Sequence, residues 1–138
     1  MGAMLALGVA LLALAGPAGA PDERARLERA QARWSRQHVR DYRYRLEVGC
    51  FCPVQVRGPH TLTVRGGRPV RPRRFTASYD TVPELFGVVD DAIDGRVARL
   101  TVRYDRRRGF PRTIAVDGRR NVADDEITIS VDRFRRLR

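Results

Sequence analysis

A period of two in hydropathy recurs along this chain and leaves few folds open to it. Tyr42, Tyr44, Leu46, Val48, Cys50 and Cys52 share one parity, while Arg43, Arg45 and Glu47 take the other. Successive side chains of a strand point to opposite faces, so this segment carries one apolar and one charged face. Later segments repeat the arrangement. Leu62 and Val64 alternate with Thr61, Thr63 and Arg65; Ala98, Leu100, Val102 and Tyr104 alternate with Arg99, Thr101 and Arg103. Ile114 and Val116 alternate with Thr113 and Asp117, and Ile127, Ile129 and Val131 alternate with Thr128, Ser130 and Asp132. One-sided strands belong to antiparallel sheets with a covered face and a wet face. Gly66-Gly67 is a two-residue hairpin signal, and Pro69 and Pro72 confine the arm that follows to a sheet edge. Arg106 to Pro111 and Asp117 to Asp124 read as further connections.

Two segments change to helical spacing. From Asp22 to about His38, the residues Leu27, Ala30, Trp34 and His38 follow one face, with Arg elsewhere. Asp22 and Glu23 sit in the first turn, where the helix dipole favours acidic groups. Trp34 is the only large apolar anchor of this stripe and is expected to pack it on the sheet. The second helix starts near Thr81, where Thr81 and Glu84 fit a capping box and Pro83 is tolerated in a first turn. Val82, Leu85, Phe86, Val89 and Ile93 give it a buried face, and Asp94-Gly95 supplies the stop. The expectation is one α+β domain. It has an antiparallel sheet of about five or six strands with both helices on its apolar face, in the order α-β-β-(β)-α-β-β-β.

Ahead of this domain, residues 1–20 read as a signal peptide. Met4 to Ala15 is an unbroken apolar run followed by small residues, and it is shorter than the roughly 20 residues that span a bilayer. Cleavage after Ala18, cleavage after Ala20, and an uncleaved anchor are the alternatives. No Cys follows the run, which argues against a lipid-modified amino terminus. Residues 21–138 are enough for one core and one domain, exported to the periplasm, cell surface or medium. No transmembrane span is expected after processing.

The formal charge is +11, and all 27 basic residues are Arg. So complete a bias, beside much Ala, Gly, Val and Asp, reads as the codon choice of a GC-rich genome. The charge nonetheless favours anionic partners, such as an envelope component or an acidic protein. Nucleic acid fits poorly, because Tyr42, Tyr44 and Tyr104 fall on the buried parity and leave no exposed stacking surface.

Four groups of residues are candidates for chemistry. Cys50 and Cys52, before Pro53, are compatible with a disulfide, a redox pair, a soft-metal site or simple packing, and export permits disulfides. Successive same-face side chains on a strand lie about 6–7 Å apart, so the chain must bend for the sulfurs to join. His60 is the one nearby imidazole, making Cys50, Cys52 and His60 a weak metal set with no established zinc spacing. Should their strands be neighbours, Arg43, Arg45 and Arg103 form a basic binding face. Asp105, Gly109 and Pro111, then Asp124, Asp125 and Glu126, are loop candidates that turn chemistry explains equally well. The acidic groups Asp90, Asp91 and Asp94 read as a solvated helix end. No Gly-x-Ser-x-Gly elbow, glycine-rich phosphate loop or His-Glu-x-x-His is present, and no catalytic residue or cofactor is assigned.

Taken in order, Trp34, Tyr42-Arg43-Tyr44, Cys50-Phe51-Cys52-Pro53, Thr81-Val82-Pro83-Glu84-Leu85-Phe86, Tyr104-Asp105 with Gly109-Phe110-Pro111, and Asp124-Asp125-Glu126 form a signature. It resembles the domain of unknown function 6174 (DUF6174) family of small exported bacterial proteins, over roughly Arg33 to Val131. The resemblance implies an envelope or secreted location and no assigned activity. Some relatives carry a lipoprotein Cys that this chain lacks, so membrane tethering does not carry over. The expected function is a non-enzymatic binding module with a basic sheet face. The alternative is a thiol-redox or metal-handling protein using Cys50 and Cys52.

Overall fold

A computed structural model describes residues 20–71, 79–119 and 125–138 of the chain. Its elements are α1 (Ala20–Ser35), β1 (Tyr42–Gly49), α2 (Val54–Arg57), β2 (His60–Arg65), β3 (Arg68–Pro69), α3 (Val82–Asp94), β4 (Arg99–Tyr104), β5 (Pro111–Asp117) and β6 (Glu126–Arg136). The strands form one open sheet in the order β3-β2-β1-β6-β5-β4, and every neighbouring pair is antiparallel. This is the α+β class that the alternation predicts. The last strand closes the sheet by inserting between β1 and β5. The proline-bearing β3 is left at one edge and β4 at the other.

The inner faces supply the core: Tyr42, Tyr44, Leu46 and Val48 from β1, Leu62 and Val64 from β2, Val102 from β4, Ile114 from β5, Ile129 and Val131 from β6. Leu27, Ala30 and Trp34 of α1 and Val82, Leu85, Phe86 and Val89 of α3 cover them. Each large side chain so buried contributes about 1.5–3 kcal/mol over exposure. The inner parity of β6 does not run unbroken. Arg133 adopts a left-handed conformation (φ 50), and the β1–β6 register shifts between Arg43 and Arg45. This bulge brings Phe134 to the inner face one residue out of the expected rhythm, where Arg133 would otherwise have stood. There it stacks on Phe110 (4.6 Å between centroids) and Tyr42 (5.5 Å).

α3 begins as the sequence predicts. Thr81 Oγ1 accepts from the Glu84 amide (3.3 Å), and Glu84 Oε2 accepts from the Thr81 amide (2.8 Å). The Tyr42 hydroxyl accepts from the Val82 amide (2.9 Å), so another amide of that end is satisfied by a core phenol from β1. Burial pushes the Tyr42 phenol up to about 12, and it is neutral over the physiological range. Thr81→Ala should therefore lower unfolding free energy by about 1 kcal/mol, read from the denaturant midpoint at unchanged slope. An unshifted midpoint would show that the Tyr42 hydroxyl and Glu84 suffice to hold this end.

α3 ends at Asp94 with Gly95 as its C-cap, as the sequence predicts; Gly95 itself stays right-handed (φ −73), and Arg96 (φ 49) makes the left-handed turn, with Val97 donating back to the Ala92 carbonyl. Three local expectations are corrected. α1 ends at Ser35, and His38 lies beyond it, exposed and left-handed (φ 50); Val39 takes the buried position instead. Ala98 precedes β4 and is exposed. β1 stops at Gly49, so Cys50 and Cys52 do not extend its stripe but lie in the turn that leads to the short helix α2.

Candidate functional site

The connection from β4 to β5 is a built hairpin. Asp105 Oδ1 accepts from the amides of Arg107 (3.0 Å) and Arg108 (2.7 Å), the Gly109 amide donates to the Asp105 carbonyl (2.8 Å), and the Asp105 amide donates to the Phe110 carbonyl (2.8 Å). Gly109 has φ 89 and lies against α1, where a Cβ would come within 2.4 Å of the Ala30 carbonyl oxygen. Phe110 is buried, 6.4 Å from Trp34, and Gln37 Nε2 donates to the carbonyls of Arg33 and Arg108 (both 2.8 Å). Asp105 and Gly109 thus shape the hairpin, Gly109 and Phe110 hold it against α1, and Pro111 opens β5 opposite Tyr104.

That clamp fixes where the intervening arginines point. Arg106 and Arg107 are exposed at the tip, while Arg108 turns back over the Phe134 ring (5.4 Å). Arg103 pairs with Thr113 but Tyr104 with Pro111, leaving Arg112 as an extra, exposed residue of a bulge. Arg103, Arg106, Arg107 and Arg112 consequently surround one open groove of about 900 Å³, which also meets Thr113 and Ser130 on the wet face. Arg26 and Tyr104 close its side at the β4 edge. Arg26 is committed there: it binds Glu23 (2.6 Å), donates to the Val102 carbonyl (2.9 Å), and lies 5.7 Å from the Tyr104 ring centre. The Tyr104 hydroxyl donates to Glu23 (3.3 Å); burial, then the Glu23 charge, holds this phenol above its ordinary range. Among the described residues, none of Arg103, Arg106, Arg107 and Arg112 has an ion pair, and Asp105 is the sole carboxylate lining the groove. The site is a cationic groove, suited to carboxylate, phosphate or sulfate oxygens.

The expected basic face of Arg43, Arg45 and Arg103 is not assembled. β1 and β4 are separated by β6 and β5, a gap of about 14 Å at roughly 4.8 Å per strand. Arg43 Nε donates to Thr63 Oγ1 (3.1 Å), and Arg45 pairs with Glu47 (2.5 Å). Asp132 lies opposite Arg45 on β6, so the middle of the sheet is of mixed charge. Only Arg103 belongs to the groove. Arg106 and Arg107 fall in the stretch that reads as a connection, and Arg112, just beyond it, reaches the groove through a bulge that alternation does not announce. The signal was the arginine run between Asp105, a turn-former, and Gly109.

The remaining candidates lie elsewhere. Cys50 and Cys52 are bonded to each other with Cα atoms 5.2 Å apart. His60 binds the Val56 carbonyl (3.1 Å), and among the described residues no cluster of three His, Cys, Asp or Glu side chains is placed to hold a metal ion. Asp125 supports the β5–β6 turn, where its carbonyl accepts from Gly118 (3.3 Å) and its carboxylate lies 3.6 Å from Arg119. Glu126 pairs with Asp117 across the strands, and Asp124 lies outside the described residues. Asp90 and Asp94 are both paired with Arg24, fastening α3 to α1, while Asp91 is exposed. A bridge across a three-residue loop removes only about 1.6 kcal/mol of chain entropy from the unfolded state, against about 3 for fifteen residues. The Cys50–Cys52 bond also joins no two strands or helices, so it adds little to the fold.

A family model described as Family of unknown function (DUF6174) matches residues 26–136, from within α1 to the end of β6. No curated protein and no solved structure matches the chain.

Proposed function

We propose that this chain, which belongs to the DUF6174 family of unknown function, acts as an exported, non-enzymatic binding module for an anionic envelope polymer. The observation that carries this reading is the convergence of Arg103, Arg106, Arg107 and Arg112 on one groove, with no ion pair among the described residues to neutralise them. Guanidinium groups offer planar forks that match carboxylate and phosphate oxygens, and an open groove admits a chain rather than a small molecule. The rest of the architecture supports the presentation of these four side chains. Gly109, Phe110 and Asp105 hold the hairpin rigid, so little ordering is left for the partner to impose. Export supplies the setting, because anionic polymers and headgroups are abundant in a bacterial envelope. No helix among the described residues is long and apolar enough to cross a membrane.

The test is calorimetric titration of the chain with linear polyphosphate at low salt. Replacing Arg103, Arg106, Arg107 and Arg112 together with Ser should weaken binding about 100-fold, at roughly 0.7 kcal/mol per exposed charge contact. Replacing Arg43 and Arg45 with Ser should change affinity by less than about threefold, because both already have partners on the sheet. Equal losses in the two variants would mean that net charge, not the groove, governs the interaction.

A further inference from the structure

We infer that the Cys50–Cys52 bond is the oxidised form of an exchangeable dithiol, whose reductant is a pair of thiols in an extended, apolar polypeptide segment. The inference is independent of the arginine groove. The groove is lined by β4, β5, the hairpin between them and Ser130 and Val131 of β6, whereas the cysteines follow Gly49 in the turn to α2, and the two linings share no residue. The bond spans one residue at a surface turn and ties no two elements together, so the core is complete without it. Both cysteines are half-buried and line a small surface hollow with Phe51, Pro53 and Arg57. Cys50 packs against the core and Cys52 does not, so Cys52 is the sulfur presented for attack and Cys50 the leaving group. The Arg57 guanidinium on the same hollow favours an approaching thiolate and a departing one.

The turn also shows its substrate class. Phe51 is 88% exposed and Val54 is 61% exposed, and the bond fixes Phe51 between the two sulfurs with its ring in water. Phe51 lines the hollow and Val54, three residues on, is exposed in the same connection, so the two offer apolar surface to a chain laid across the turn. A folded protein's own thiols are buried; those of an unfolded segment are flanked by exposed apolar residues that Phe51 and Val54 would cover.

The reaction balances within these groups. A substrate thiolate attacks Cys52 Sγ, the Sγ–Sγ bond breaks, and Cys50 leaves as a thiolate that takes a proton from water. The second substrate thiol, as its thiolate, then attacks the substrate sulfur of the mixed disulfide and releases Cys52. The substrate has lost two electrons and two protons to form its own disulfide, and the protein has gained them as two thiols.

The oxidised chain is mixed with a reduced peptide carrying two cysteines flanked by Leu and Phe, then quenched with acid and alkylated for mass analysis. The peptide should lose two hydrogens as the chain gains two, and the trapped mixed disulfide should map to Cys52. Phe51→Ser should slow oxidation of the peptide by about tenfold, equivalent to 1.4 kcal/mol, and leave the rate with dithiothreitol unchanged. The double variant Cys50→Ser, Cys52→Ser should stay folded, with its thermal midpoint lowered by no more than about 10 °C, and lose all peptide oxidation. A bond that resists excess dithiothreitol in the folded chain, equal slowing of both reductants by Phe51→Ser, or unfolding of the double variant would overturn the inference.

Discussion

Trp34→Ala is expected to lower unfolding free energy by about 3–5 kcal/mol, a large share of the 5–15 kcal/mol typical of a domain. Trp34 is the only tryptophan of the chain and is 7% exposed. It makes edge-to-face contacts with Tyr42 of β1 (5.4 Å), Phe110 of the β4–β5 hairpin (6.4 Å) and Phe134 of β6 (5.7 Å). The first strand, the β4–β5 hairpin and the last strand thus meet on one side chain of α1. Truncation leaves a cavity that none can fill, because each is held by its own strand or helix. Since the variant loses its indole, far-ultraviolet circular dichroism in urea is the appropriate measurement. Trp34→Phe keeps part of the contact and should recover about half of the loss. A loss below about 1 kcal/mol for Trp34→Ala would mean that α1 is not fastened through this residue.

Gly109→Ala should cost about 2–5 kcal/mol, far more than adding one methyl group ordinarily does. Two separate penalties act. The backbone at φ 89 is unfavourable for any residue with a Cβ, and that Cβ would lie 2.4 Å from the Ala30 carbonyl oxygen and 3.1 Å from the Trp34 amide nitrogen. Those atoms belong to the backbone of α1 and cannot swing aside, so the hairpin must lift. Lifting it would draw Phe110 from the aromatic cluster and move Arg106 and Arg107 out of the groove. The variant should therefore lose polyphosphate affinity as well as stability. Gly66→Ala, at φ 58 with nothing within 4 Å of its Cβ, separates the two terms and should cost only about 1 kcal/mol. Equal costs at both positions in urea denaturation would remove the clash with α1 from the explanation.

Much of the fold was legible because the side-chain period of a strand survives in hydropathy. β1, β2, β5 and the first half of β6 were placed by alternation, and α3 by its capping box and apolar spacing. What escaped is physically different. Strand order depends on which edges meet after the chain has folded, so the insertion of β6 beside β1 left no local trace. Phe134 was missed because the bulge at Arg133 breaks the period that would have announced it. The same limit applied to the site. Arg43, Arg45 and Arg103 share an outward parity, which is all that alternation can state, and strand order separates them. Arg112 reaches the groove only through the β4–β5 bulge, and Arg106 and Arg107 only through the hairpin that Asp105 and Gly109 shape. Asp105, Gly109 and Pro111 read in the sequence as a group of loop candidates, and they lie together in and beside the β4–β5 hairpin. Their role is to position the neighbours that carry the charge.

The most direct measurement of the central claim is the salt dependence of polyphosphate binding by the wild-type chain and by the variant with Ser at 103, 106, 107 and 112. Each guanidinium that contacts the polymer releases about one counterion. The logarithm of the association constant should fall with the logarithm of salt, and the slope should shrink by about three in the variant, at roughly 0.7–0.9 per lost contact. Identical slopes for the two proteins would contradict the account, because they would place the polymer somewhere other than the arginine groove.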